Sequence, residues 1–248
     1  MKRFRIILLF LLICAAFASA YYAMEPLIYR AHMTEQCEKK TEEFYAAVRE
    51  ARKQTDKPDS EQEQEEDKPY EDLYNSMKDY NEFIFKAGQN ALTSRTSYQL
   101  QIFDLTQYGL TDQTFGVIYI PKMDVELPLY LGASDENMAN GAAVLSQTSV
   151  PIGGDNTNAV IAGQRGWNGY KYFQDIELLN KDDEVYITTI WETLVYKVSE
   201  IRVVTPDDIG SIHIQPGRDL VTLMTCHPYA SGGKYRYLVF CERAEDLP

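Results

Sequence analysis

Three scarcities narrow the class of this 248-residue chain. It has four cysteines and fourteen glycines, too few for a disulfide-stapled miniprotein or a collagen-like chain. Basic residues are outnumbered, with 24 Lys and Arg against 37 Asp and Glu, and the net charge of −13 argues against nucleic acid as a partner, because phosphate backbones attract basic surfaces. The sequence contains neither a phosphate-cradling glycine loop nor a nucleophile-elbow serine. Hydrophobic residues, at 45%, suffice for a folded core.

One long apolar run stands near the start of the chain, and no second run occurs. Residues 6–24 follow three basic residues and are broken only by Ser19. At about 1.5 Å per residue, their helix would nearly cross a hydrocarbon layer of about 30 Å. The preceding basic residues predict that residues 1–5 are cytoplasmic and that the rest of the chain lies on the extracellular side of the cell membrane. We predict a single-pass signal-anchor, with a signal peptide cleaved near Ala20 as the alternative.

The segment after the apolar run is dominated by charge. Residues 25–68 are predicted to form a charged helix, over 34–53, and then an acidic spacer. Residues 56–67 contain no apolar side chain, so burial cannot offset the entropy of ordering them. Apolar residues then recur at spacings of four, three and four, which predicts an amphipathic helix within residues 69–99. These residues are Leu73, Met77, Tyr80 and Ile84.

The hydrophobic period changes beyond residue 100. Many short strands at near-regular spacing, with one short helix over 172–179, predict a mostly β fold, either an antiparallel barrel or a sandwich. The predicted strands cover residues 115–120, 125–130, 158–162, 184–188, 193–198, 201–204, 219–225 and 235–241.

The four cysteines lack the paired spacing of a zinc site. Cys14 lies in the apolar run, Cys37 lies in the tether, and Cys241 ends an apolar strand, where a small buried hydrophobe is expected. Cys226 differs because it ends a predicted strand and precedes an open loop, where a thiol can reach a substrate. Arg236, on the neighbouring predicted strand, carries a permanent charge that can stabilise a thiolate or a developing oxyanion.

These motifs resemble the sortases, the membrane-tethered cysteine transpeptidases of Gram-positive cell surfaces. The sequence Thr-Leu-Met-Thr-Cys at 222–226 matches the family signature around the nucleophile, and Arg236 matches the family's arginine. Residues 116–122 resemble the first barrel strand, and residues 151–163 resemble the approach to the catalytic histidine. The resemblance covers residues 100–243, the predicted catalytic domain, and leaves a tail at 244–248.

The Arg-Gly pair at 165–166 and the residues 173–177 look most like class C, the pilin-polymerising branch. The implied fold is an eight-stranded β-barrel with short helices, preceded by the helical tether and membrane anchor. The implied catalytic residues are Cys226, Arg236 and position 164, with Thr225 and Arg165 in substrate binding. No metal and no cofactor is implied.

The resemblance implies a substrate and a partner. Sortases cleave a sorting signal of the Leu-Pro-x-Thr-Gly type between Thr and Gly, through an acyl-thioester on the cysteine. An amine, from a pilin lysine or from a cell-wall peptide cross-bridge, then resolves the thioester. The expected partners are therefore surface proteins or pilins that carry such signals, together with the amine acceptor.

Two departures from the family pattern stand out. Gln164 occupies the place of the family histidine, and an amide has no proton to give the leaving amine in the neutral range. Loss of a general acid typically costs about 10²–10⁴ in rate, so we expect an impaired enzyme. The second departure is the segment nearest to a class C lid, residues 102–105, which lacks that lid's proline.

Two alternatives remain open. One is a catalytically inactive, sortase-like module that is displayed on the membrane for binding or scaffolding. The other is an active enzyme in which His227 replaces the missing histidine. His227 is adjacent to Cys226, but successive side chains of a strand point to opposite faces, which favours a structural role for it.

Overall fold

The computed structural model describes residues 2–55, 68–92, 97–110, 112–166 and 169–244. The predicted acidic spacer at 56–67 and most of the predicted tail lie outside these ranges. Three α-helices occur in the described part of the chain: α1 (Lys2–Thr55), α2 (Glu71–Lys86) and the short α3 (Asp135–Asn140).

Eight strands close into one barrel, in the order β1-β2-β3-β4-β7-β8-β6-β5. Most neighbours are antiparallel, whereas β2–β3 and β4–β7 are parallel pairs. The strands are β1 (Thr114–Ile120), β2 (Val125–Leu131), β3 (Ala142–Val144), β4 (Thr157–Ala162), β5 (Glu184–Thr189), β6 (Thr193–Val204), β7 (Asp219–His227) and β8 (Tyr235–Arg243).

Burial patterns explain why these segments form strands. In β5, buried and half-buried side chains alternate, as expected where one face points into the barrel. Every residue of β4 is buried. Ala159 and Ile161 belong to the main core, and Val160 packs in a second apolar cluster with Ile212 and Phe240. A strand buried on both faces has a continuous apolar sequence, as residues 159–162 of β4 do after the polar Thr157 and Asn158.

The predicted eight-stranded barrel is confirmed, although two strand assignments were wrong. The segments predicted at 193–198 and 201–204 form the single strand β6, because a bulge between Val198 and Glu200 shifts its register against β8 without ending it. The strand β3 was missed because three residues are too few to show a period.

The short helix predicted over 172–179 was also wrong. The segment contains turns and a single 3₁₀ turn at Ile176–Leu178. Tyr172, Phe173 and Ile176 are fully buried there. Their spacing imitates a helix, but Tyr172 adopts a left-handed conformation with φ of 42°, which is incompatible with a right-handed helix.

The helix α1 does more than tether the barrel. Its apolar part is exposed throughout and is long and apolar enough to cross a membrane. Its second half packs against β1, β2 and α3 through one face, which consists of Met33, Cys37, Phe44, Val48 and Ala51. Cys37, which the sequence places in the tether, is buried in this face, and burial raises the pKa of its thiol.

The helix α2 packs on the end of the barrel at which β4 and β7 begin. Leu73, Met77 and Ile84 are buried on the face that their spacing predicts. The buried Asn81 joins α2 to the barrel: its Nδ2 donates to the carbonyl of Val150 (3.0 Å), and the Val150 amide donates to its Oδ1 (2.7 Å).

We expect Asn81→Ala to lower the free energy of unfolding by about 1–3 kcal/mol, because the buried Val150 amide loses its acceptor and the Val150 carbonyl keeps only the Ile152 amide as a donor. Denaturant unfolding of the chain in detergent micelles measures the change. The control is Asn90→Ala, since Asn90 is exposed and bonds locally to the carbonyl of Ala87. Equal effects of the two substitutions would contradict the prediction.

Candidate active site

The candidate site lies at one end of the barrel, where three strands bring distant residues together. Because β4 and β7 are parallel, their carboxyl ends lie at the same end, and the antiparallel β8 begins there. Gln164 follows β4, Cys226 is the penultimate residue of β7, and Arg236 is the second residue of β8. The fold therefore assembles residues that are up to 72 positions apart in the sequence.

Cys226 and Arg236 stand directly opposite each other on β7 and β8. The Nη1 atom of Arg236 lies 3.7 Å from the sulfur of Cys226, which is exposed. The same nitrogen donates to the carbonyl of Gly233 (2.9 Å), which fixes the guanidinium beside the thiol. A thiol that is open to solvent and paired with a permanent positive charge can act as a nucleophile.

Gly233 allows this close arrangement. Its φ of 84° lies in the left-handed region that favours glycine. A Cβ atom at this position would lie 3.3 Å from the Cys226 sulfur and 3.1 Å from Nη1 of Arg236. Because glycine has no Cβ atom, the turn between β7 and β8 can lie this close to Cys226 and Arg236.

Gln164 lines the same cleft as Cys226 and Arg236. Its Nε2 donates to the carbonyl of Met138 in α3, at 3.2 Å. This bond directs the amide nitrogen at α3. Gln164 therefore shares the cleft with Cys226 and Arg236 and carries no titratable proton, and its correspondence to the family histidine stays a prediction.

The cleft has a volume of about 560 Å³. One wall is apolar and includes Met138, Ile209 and Leu238, and the other residues include Tyr98 and the adjacent Asp207 and Asp208. A mixed cleft of this size suits an extended peptide with a few apolar side chains. Burial raises the pKa of Tyr98, against a smaller lowering by the charge of Arg236.

Thr225 ties the two halves of the site together. It is buried next to the cleft, and its hydroxyl donates to the carbonyl of Gly163 at 2.7 Å. The Gly163 amide in turn donates to the carbonyl of Met224 (3.1 Å). Thr225, the residue before Cys226, is thus bonded to the residue before Gln164. Its predicted role in substrate binding stays a prediction.

Arg165 lies behind the cleft, not among the residues that line it. Its guanidinium is buried and donates to the carbonyls of Gln174 (3.1 Å) and Cys226 (3.3 Å). It also pairs with Glu177 at 2.7 Å. Because its donors are used inside the protein, this geometry gives no support to the expected contact with substrate.

His227 joins the Arg165 cluster and does not line the cleft. Its Nδ1 lies 3.0 Å from Oε1 of Glu177, too poorly aligned for a hydrogen bond, and its ring packs on Tyr237. The hydrogen bond from Arg165, with a smaller contribution from His227, lowers the pKa of Glu177. The side chain of His227 therefore points to the opposite side of β7 from Cys226, as strand alternation predicts.

The segment compared above with a lid, residues 102–105, packs away from the cleft. Leu105 is fully buried, and the ring of Phe103 contacts Tyr80 of α2. Tyr98 and Gln99 line the cleft instead. No local sequence pattern indicates these two residues, because the path of the chain between α2 and β1 brings them to the site. Among the described residues, no group of three His, Cys, Asp or Glu could hold a metal ion.

The chain thus combines a closed eight-stranded barrel with an exposed thiol that lies opposite an arginine at one end of the barrel. The family model described as "Sortase domain" matches residues 118–244. The chain belongs to the sortase family.

Individual relatives agree with this assignment. The solved structure described as "Sortase C1 of GBS Pilus Island 1" has a TM-score of 0.70 and 25% identity, over 85% of this chain and 100% of that one. Sortase C from Clostridium perfringens SM101 has a TM-score of 0.57 and 33% identity, over 71% of this chain and 89% of that one. The resemblance to class C is thus supported by the solved structures.

Among curated proteins, Sortase A of Bacillus anthracis is 32% identical over 127 residues, which make up 51% of this chain. The match spans 58% of that relative's length. The family model therefore matches the barrel, and both α1 and α2 lie outside the matched region.

We expect Thr225→Val to lower the free energy of unfolding by about 1–3 kcal/mol, because valine keeps the shape but leaves the buried carbonyl of Gly163 without its donor. Denaturant unfolding measures the change. Thr193→Val is the matched control, because Thr193 is exposed and its hydroxyl contacts Thr188 at the surface. A smaller effect at Thr225 than at Thr193 would contradict this role.

Proposed function

We propose that this chain is a membrane-anchored cysteine transpeptidase that cleaves a Leu-Pro-x-Thr-Gly-like signal between Thr and Gly. One observation carries the proposal: the exposed sulfur of Cys226 lies 3.7 Å from the guanidinium of Arg236, at a cleft that can take a peptide. Membership of the sortase family supports the reaction class.

In the proposed reaction, the Cys226 thiolate attacks the threonine carbonyl and forms a tetrahedral intermediate. Arg236 stabilises the oxyanion, because its charge is fixed beside the sulfur before the reaction begins. The C–N bond then breaks, the glycine amine leaves with a proton, and a thioester remains on Cys226. An acceptor amine attacks the thioester, loses a proton to water and forms the new amide, while the C–S bond breaks and the thiolate returns. The acceptor is a pilin lysine or a cell-wall cross-bridge.

Proton transfer to the leaving glycine amine is the slow step of this reaction. Gln164 holds its amide nitrogen on Met138 and has no proton to donate near neutral pH. The proton must then come from water. We therefore propose that the chain reacts slowly, at a rate limited by expulsion of the glycine amine.

An inactive binding or scaffold module is the alternative, and chemistry at Cys226 separates the two. The proposed enzyme forms a thioester adduct with a sorting peptide, detectable by mass spectrometry after acid quenching, and Cys226→Ala abolishes the adduct. A binding module retains affinity for the peptide without any adduct. The intact Cys226–Arg236 pair favours the enzyme.

We expect Gln164→His to raise the transpeptidation rate by about 10²–10⁴, the usual contribution of a general acid. The assay follows ligation of a Leu-Pro-x-Thr-Gly peptide to an added amine by the full chain in detergent micelles.

The matched control is Gln99→His, which places an imidazole in the same cleft but not after β4. A gain at position 164 and none at position 99 supports the proposal. If neither variant ligates the peptide and no adduct forms on Cys226, the transpeptidase is rejected. If the unsubstituted chain ligates the peptide and His227→Ala abolishes that ligation, His227 is instead identified as the proton donor.

A further inference from the structure

The helix α1 connects its exposed apolar segment to the barrel without a break. It is helical from Lys2 to Thr55, and residues 6–24 contact no other part of the described protein closely enough to be buried. Glu25 is the first charged residue after them. Contact with the barrel begins at once: Tyr29 packs on the main core, and Met33 is buried.

The first contact of α1 is with the loop that follows β4. The backbone of Gly169 lies so close to α1 that an added Cβ atom would be 3.1 Å from the carbonyl of Pro26. Pro26 is two residues beyond Met24, the last residue of the apolar run. At about 1.5 Å per helical residue, this contact lies roughly 3 Å along the axis from the end of that run.

The contacts along α1 fix the direction of the barrel. Cys37, further along, lies 3.5 Å from the carbonyl of Asn140 in α3. Arg52, near the end of α1, donates to the carbonyl of Ile190 (3.3 Å), which lies between β5 and β6. The end of the barrel at Gly169 therefore faces the apolar run, and the end at Ile190 points away from it.

The cleft opens at the end that faces the apolar run. Gln164 precedes Gly169 by five residues, and β7 runs toward the same end to reach Cys226. The start of β7, at Asp219, lies at the other end beside α2. Nine strand residues at about 3.3 Å each separate the two ends of β7 by roughly 26 Å.

Exposed apolar side chains mark the cleft end. Tyr229, two residues after β7, is 59% exposed, and Leu178, beside the Arg165–Glu177 pair, is 52% exposed. Tyrosine is enriched at membrane–water interfaces because its ring is apolar and its hydroxyl is polar. A bilayer that holds residues 6–24 would lie against this surface.

We infer that the cleft end of the barrel rests on the headgroup layer of the bilayer that holds residues 6–24, so that Cys226 faces the lipid surface. The partner is a phospholipid bilayer. The inference rests on the proposed anchoring of α1 and deepens the proposed function, since a sorting signal would then be cleaved at the membrane surface, not away from it.

The test measures the depth of single labelled positions. The full chain with Cys14→Ser and Cys226→Ala is reconstituted in phosphatidylcholine vesicles that contain a lipid with a nitroxide headgroup. A thiol-reactive fluorophore is attached at Tyr229→Cys or Leu178→Cys, and at Phe83→Cys as the matched control. Phe83 is 68% exposed on α2, at the opposite end. Near-UV circular dichroism verifies that each variant folds.

We expect loss of emission at positions 178 and 229 and no loss at position 83, relative to vesicles without nitroxide. Equal quenching at the three positions, or stronger quenching at position 83, overturns the inference. Failure of the chain to float with the vesicles also overturns it and identifies the anchoring as the step that failed. Thioester formation is measured separately on the chain that retains Cys226, so a failed transpeptidase and a failed orientation give different results.

Discussion

The candidate site depends on the register between β7 and β8. Cys226 faces Arg236 across this ladder, and the turn at Gly233 is tight enough to hold the guanidinium against the sulfur. A slip by one residue would turn each side chain to the other face of the sheet. Leu223 and Val239 pair on these strands and are buried in the main core, whereas the neighbouring Leu238 and Phe240 are buried in the second apolar cluster. A slip would exchange the two sets of side chains, and the close packing of both clusters opposes this exchange. The core of the barrel therefore maintains the geometry of the nucleophile.

A second constraint comes from the helix α1. Its buried face, from Met33 to Ala51, makes the second half of α1 part of the folded domain. Three consecutive carbonyls at the end of α3 show how close this packing comes to the site. They belong to Met138, Ala139 and Asn140, which contact Gln164, Tyr172 and Cys37 respectively. Gln164 and the packed half of α1 are thus both held by one short helix, α3.

Sequence patterns predicted most strands of the barrel, whereas they did not indicate that α1 packs on it. Strand alternation and turn residues are local, so most strands could be placed, whereas the bulge in β6 and the three residues of β3 carry too little local signal. On α1, the buried residues are separated by many charged ones, such as Glu38 and Glu42, and the segment looks solvated. Its apolar stripe becomes evident when the barrel surface that covers it is known.

The sequence by itself determined the chemical groups: one thiol at a strand end, one arginine ten residues later, and the amide of Gln164. Those identities limit the proton chemistry, because no fold can give an amide a titratable proton. Tertiary structure decided which groups share the cleft. Parallel pairing of β4 and β7 brings Gln164 to Cys226, while strand alternation sends His227 to Glu177 behind it. Arg165, adjacent to Gln164 in sequence, is buried on that far side. Two neighbouring side chains can point in opposite directions, because the local backbone conformation sets the direction of each.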